Sequence, residues 1–224
     1  MAKVAYSQPK TPMEMIEALN TRMTASARSY KIATVRYLLR PPLSLRAKYA
    51  AFLLDFAQQS DLFQQVLVRA AERSTDPAVA ELLRKHQREE KTRMQLVLSD
   101  LRRLGFSDQL PERPTTAGDA ALRVFCSNTS DEKPHAMLGV LLALYGIAQE
   151  VSSSVIKLLT VGSVPREAMR WLILRQTDDT QELKQLLNRT VELVTSPVEQ
   201  AEVLEAVEVT GELLALGAAA RPAA

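Results

Sequence analysis

The sequence is poor in glycine and in the residues that build disulfide or imidazole sites. Its 224 residues include only 7 glycines, 1 cysteine, 1 tryptophan and 2 histidines, and aromatic residues make up 5%. A lone cysteine, Cys126, excludes an intramolecular disulfide and fits a reducing compartment. Few glycines, with no β-branched alternating runs, exclude a sheet-rich fold. The N-terminal stretch lacks the apolar segment of a secretory signal. The longest apolar run, "AMLGVLLALYGIA" at 136–148, is too short to span a bilayer. It reads as a buried helix, and the expected location is cytoplasmic, with no membrane partner. The formal net charge of +2 favours no particular class of partner. The first 49 residues hold nine Lys and Arg against two Glu, but no dense basic run with interleaved aromatics. A solvated basic face is expected there rather than a nucleic-acid interface.

What is present is helix. "TPME" (11–14) is a capping box, with Thr11 as N-cap, Pro12 at the first helical position and Glu14 closing the box. The first helix runs towards Arg40, with a break expected near Ser26–Tyr30, and "PPLS" (41–44) ends it. A second helix spans about Leu45–Arg73. "STDP" (74–77) opens a third, from Pro77 to Leu104, which Gly105 stops. Residues 106–133 read as one long irregular connection with a short helix at "GDAALRVF". A fourth helix runs from about Pro134 to Gly162, and a fifth from "SVP" (163–165) to about Val194. "SPVE" (196–199) caps a sixth. The expected architecture is all-α, a bundle of six to eight helices. It has a flexible start at 1–10, a single domain at 11–216 and a disordered tail at 217–224.

The third helix carries an anomaly. At about 100° per residue, Val79, Leu83, Val97, Leu101 and Leu104 share one stripe, and His86, Glu90 and Arg93 fall inside it. On the fifth helix Met169, Leu172, Leu183, Leu186 and Leu187 form the inner stripe. Asp179 lies within that stripe and Arg175 and Glu182 on its edge. The fourth helix is apolar nearly all round, which buries Tyr145. A buried charge must be paired, hydrogen-bonded or bound to metal. Two readings follow. Facing helices that each place acids inward form a carboxylate metal site, as in di-iron bundles. Alternatively, Arg93 and Arg175 neutralise Glu90, Asp179 and Glu182 in an ion-pair network.

"EEKTRMQLVLSDLRRLG" (89–105) resembles the signature helix of the haem-oxygenase-like superfamily, E-x-x-H-x-x-W-x-L-x-D-L-x-x-L-G. That superfamily includes thiaminase II, pyrroloquinoline quinone synthase and iron-containing redox enzymes. The preceding "YLLRPPLSLRAKYAAFLLDFAQQSDLFQQVLVRAAE" and the fourth helix, "LGVLLALYGIAQEVSSSVIKLL", are similar to family segments. "LRQTDDTQEL" lies where the metal-binding branch has H-x-x-x-D-x-x-H. The resemblance implies a haem-oxygenase-like bundle, commonly a homodimer. It places the iron ligands of that branch on Glu90, Arg93, Tyr145, Arg175, Asp179 and Glu182. Only Glu90 and Asp179 keep the ligand type, while Glu182 replaces a histidine by a carboxylate. Arg93 and Arg175 stand where imidazoles would, and a guanidinium does not ligate.

The resemblance therefore implies a metal-depleted relative with no cofactor. Such a protein would bind a small anionic or apolar ligand, or a protein partner, instead of performing redox catalysis. The alternative is an iron-dependent oxidoreductase whose iron is held by His86, Glu90, Asp179 and Glu182, with Glu150 in reserve. A cofactor-free enzyme using Tyr145 and the arginines is a third reading. Cys126 lacks an activating neighbour in sequence, and His135 reads as a surface residue.

Overall fold

The computed structural model describes residues 8–41, 43–106, 115–177 and 179–221. Among them are eight α-helices: α1 (Pro12–Leu39), α2 (Leu45–Arg73), α3 (Pro77–Arg103), α4 (Ala117–Glu132), α5 (Met137–Val161), α6 (Arg170–Thr177), α7 (Asp179–Leu193) and α8 (Pro197–Ala220). No strand occurs among the described residues.

The helix ends follow the capping residues. Thr11 with Glu14 and Ser196 with Glu199 form reciprocal capping boxes; Ser44 and Asp76 cap α2 and α3. Gly105, at φ +81°, takes the left-handed conformation that closes α3. The Phe106 N–H returns to the Leu101 carbonyl (3.1 Å) and the Gly105 N–H to Arg102 (2.9 Å).

Several expectations need correction. α1 has no break at Ser26–Tyr30. Ser26 is polar but buried, and its hydroxyl donates to the Val207 carbonyl on α8 (3.5 Å). The irregular connection is largely helix, because Thr116 and Asp119 form a third capping box that opens α4. Residues 107–114 of it lie outside the described residues. The fifth helix of the sequence reading opens with a short 3-10 turn (Arg166–Ala168) and is helical over Arg170–Thr177 and Asp179–Leu193; residue 178 lies outside the described residues. Near the end of α6, the Thr177 hydroxyl donates to the carbonyls of Ile173 (3.3 Å) and Leu174 (3.2 Å). The tail is not disordered at 217–221. α8 continues to Ala220, Gly217 and Ala218 are buried, and Arg221 forms an ion pair with Asp55 (2.8 Å). Residues 222–224 lie outside the described residues.

α2 and α3 form an antiparallel hairpin, while α1 and α8 run parallel. Lys10 bonds Gln200, Arg22 pairs with Glu208, and Arg221 lies over the Tyr37 ring. α5 is central, packed by α1, α8, α6 and α7. Its contact with α8 is close: a Cβ on Gly139 would strike the Val203 carbonyl oxygen. The α5 region also corrects the apolar-run estimate. The helical stretch 134–161 is long and apolar enough to cross a membrane, with 56% of its most apolar window buried in the bundle.

Candidate functional site

α3, α5, α6 and α7 bring a polar cluster into the core. On α3, His86, Glu90 and Arg93 lie on successive turns and are 1%, 6% and 5% exposed. Their i, i+3 and i+4 spacing puts them on one face. Arg93 is the hub. Its Nη1 donates to Glu90 Oε1 (2.8 Å) and to Tyr145 Oη on α5 (2.6 Å). Its Nη2 donates to Glu182 on α7. The guanidinium also sits 4.7 Å from the centroid of the Tyr145 ring. Arg175, on α6, approaches Glu90 Oε1 at 3.8 Å and lies 5.6 Å from the ring centroids of Phe56, Tyr145 and Trp171. The side chain of Asp179 lies outside the described residues.

Sequence reasoning missed Glu89, which sits on the flank of the stripe. Tyr145 O–H donates to Glu89 Oε2 (3.2 Å), and His86 Nδ1 lies 3.0 Å from the same oxygen and 2.9 Å from Tyr145 Oη. An ionised carboxylate only accepts, and the phenol proton is committed to it. The imidazole hydrogen is therefore on Nδ1. His86 Nε2 is buried without a hydrogen-bond partner among the described residues. Partial burial would raise the Glu89 pKa. The His86 hydrogen bond and charge outweigh it, with Lys85 and Arg93 adding to them, and hold the group at about 2. Burial pushes the Tyr145 hydroxyl up, against the opposing arginine charges, so it stays protonated. A tyrosinate base, as a cofactor-free enzyme would require, is thus disfavoured.

A depressed folded-state pKa contributes stability above the unfolded value, which disappears as pH falls through the folded one. Glu89→Gln should therefore cost about 1–2 kcal/mol at neutral pH, because water screens the exposed part of the carboxylate. The difference from the parent protein should shrink between pH 4.5 and about 2. Urea unfolding across that window checks this; a pH-independent difference would show that Glu89 is not held low.

The described donors do not fit an iron ion. Arg93 donates to both Glu90 and Glu182, so a cation bridging those carboxylates would meet the guanidinium. Glu150 is turned elsewhere, paired with Lys31 (2.7 Å). Among the described residues no three His, Cys, Asp or Glu side chains converge as a metal site. Cys126 is in α4, fully buried, and burial pushes its thiol up to about 12, which removes the thiolate needed of a nucleophile. His135, expected at the surface, is half-buried with Nε2 2.7 Å from Glu202 Oε2.

Beside the cluster lies an apolar cavity of about 60 Å³. Phe52, Phe56, Phe63, Leu144, Ile147 and Trp171 form its walls, with Glu90 and Arg175 at its polar end. The rings of Phe56 and Trp171 are 4.3 Å apart at their centroids. Asp100 positions this end. Its buried carboxylate accepts from the backbone N–H groups of Trp171 (2.8 Å) and Arg170, the orphan donors at the start of α6. That aspartate is the D of the "SDLRRLG" ending, and no sequence-level argument gave it this role.

No family model and no curated protein matches the chain. A crystal structure of a domain of unknown function from Shewanella denitrificans is similar to it. It is 16% identical with a TM-score of 0.63, over 91% of this chain and 86% of that one, and is described as having a heme oxygenase-like fold. With the all-helical element order above, this establishes the architecture: the chain adopts the haem-oxygenase-like fold.

Proposed function

We propose that the protein acts by binding rather than by redox catalysis, and that its ligand is a small apolar carboxylate held in the central cavity. The observation that carries this is the aromatic cavity with Arg175 at its polar end. Arg93 is saturated by Glu90, Glu182 and Tyr145, and so holds the site's shape. Arg175 stands at the polar end with its guanidinium 5.6 Å from the Phe56 and Trp171 ring centroids and Glu90 Oε1 at 3.8 Å. A ligand carboxylate would gain a charge-assisted, bidentate contact there. The cavity is smaller than the ~150 Å³ void that accepts benzene. A carboxylate of two or three carbons suits it better than a ring.

Trp171 is the chain's single tryptophan and lines the cavity, so its fluorescence reports occupancy directly. Titration with propionate should give a saturable change in emission. Ala148→Phe, which fills the cavity from α5, should weaken that response at least about tenfold, or ~1.4 kcal/mol, with the fold retained by circular dichroism. No saturable response, or one that Ala148→Phe leaves unchanged, would overturn the reading.

A further inference from the structure

A second concavity, about 320 Å³, opens between α3 and α7 and shares no lining residue with the central cavity. Its polar walls are Lys85, Arg88 and Glu81 on α3 and Gln185 and Arg189 on α7, and His86 lies at its floor. Three cations thus face one carboxylate. Lys85 is shared loosely with Glu89 (3.6 Å), and Arg189 pairs with Glu192 on the exposed side of α7 (2.7 Å). Arg88 is exposed, with no ion pair among the described residues.

We propose that this cleft is an anion site for the phosphoryl group of a small soluble molecule. Two forked guanidinium groups, an ammonium and an amide supply more donors than their contacts with Glu89 and Glu192 occupy. They match a dianion with three terminal oxygens. The size is that of a small-molecule site. The floor offers a second reason. His86 Nδ1 is fixed by Glu89 and Tyr145, so the ring cannot turn freely, and its buried Nε2 lacks a partner among the described residues. With the hydrogen on Nδ1, Nε2 accepts, so a hydroxyl of the ligand beside its phosphoryl group would satisfy it.

The test uses the full chain and inorganic pyrophosphate, followed by calorimetry and by the imidazole C2 proton resonances. There are only 2 histidines, and His135→Gln assigns them. Saturable binding that shifts the His86 resonance is expected. Arg88→Ala with Arg189→Ala, both exposed positions, should weaken it at least about tenfold without changing the melting temperature. The proposal is overturned by absence of saturable binding, by a shift confined to His135, or by unchanged affinity in the double variant. It is equally overturned if phosphatidate vesicles bind and pyrophosphate does not compete, because the ligand would then be a membrane surface. The propionate titration by fluorescence is read separately, so failure of one site leaves the other standing.

Discussion

Arg93→Ala is expected to lower the unfolding free energy by about 3–5 kcal/mol, the cost of removing one partner from a buried ion pair. The guanidinium donates to Glu90, Glu182 and Tyr145 at once. Its loss leaves Glu90, 6% exposed, with the more distant Arg175 at 3.8 Å as its cation among the described residues. The arginine is not thereby worth that much to the fold. Replacing both charges, with Arg93→Met and Glu90→Gln, should recover most of the loss, because neither buried group is then an unpaired ion. Glu182 is partly exposed and can turn to water. Urea unfolding of the two single variants and the double variant measures the coupling. Additive costs would show that the residues do not act as a pair.

Asp100→Ala should cost about 2–4 kcal/mol, because it orphans backbone donors at the buried start of α6. Burial raises the Asp100 pKa, and the N–H groups of Trp171 and Arg170 oppose that rise. Asp100→Asn keeps an acceptor without a buried charge, and should lose no more than ~1 kcal/mol. Trp171 emission provides a readout beyond stability. With alanine, α6 loses its anchor and the indole should move towards water, shifting its emission to longer wavelength; with asparagine it should stay. If alanine leaves both the emission and the stability unchanged, another residue holds α6.

Much of this was legible in the sequence where the physics is local. Capping boxes at Thr11 and Ser196, the glycine stop at Gly105 and the helical beat of α3 each depend on residues within one or two turns. The same beat put His86, Glu90 and Arg93 on the inner face, where the structure has them. The partners were not legible. Arg93 meets Glu182 across 89 positions, and Asp100 meets Trp171 across 71. No spacing rule reaches that far. Glu89 was passed over because its half-exposed flank position looks like a solvated face, although it orients His86. The error at Ser26 has the same origin. A serine that ends a helix when exposed becomes a packing contact when another helix offers a carbonyl and a glycine beside it, here Val207 and Gly211. The apolar walls gave no signal of a cavity, since Phe52, Phe56 and Phe63 recur on α2 as core residues do; the only hint was that one tryptophan stood alone.

The parallel pairing of the first and last helices governs how the chain can be made. Lys10 reaches Gln200, and Arg22 reaches Glu208, across 190 and 186 positions. During synthesis α5 is complete at Val161, but the helix that covers it together with α1 begins only at Pro197. Until then the most apolar segment of the protein, residues 134–161, has only part of its cover. Closing contacts so far apart in sequence makes a helical bundle fold slowly. A ribosome stalled anywhere before α8 would hold out a bilayer-length greasy helix, a substrate for chaperones and proteases.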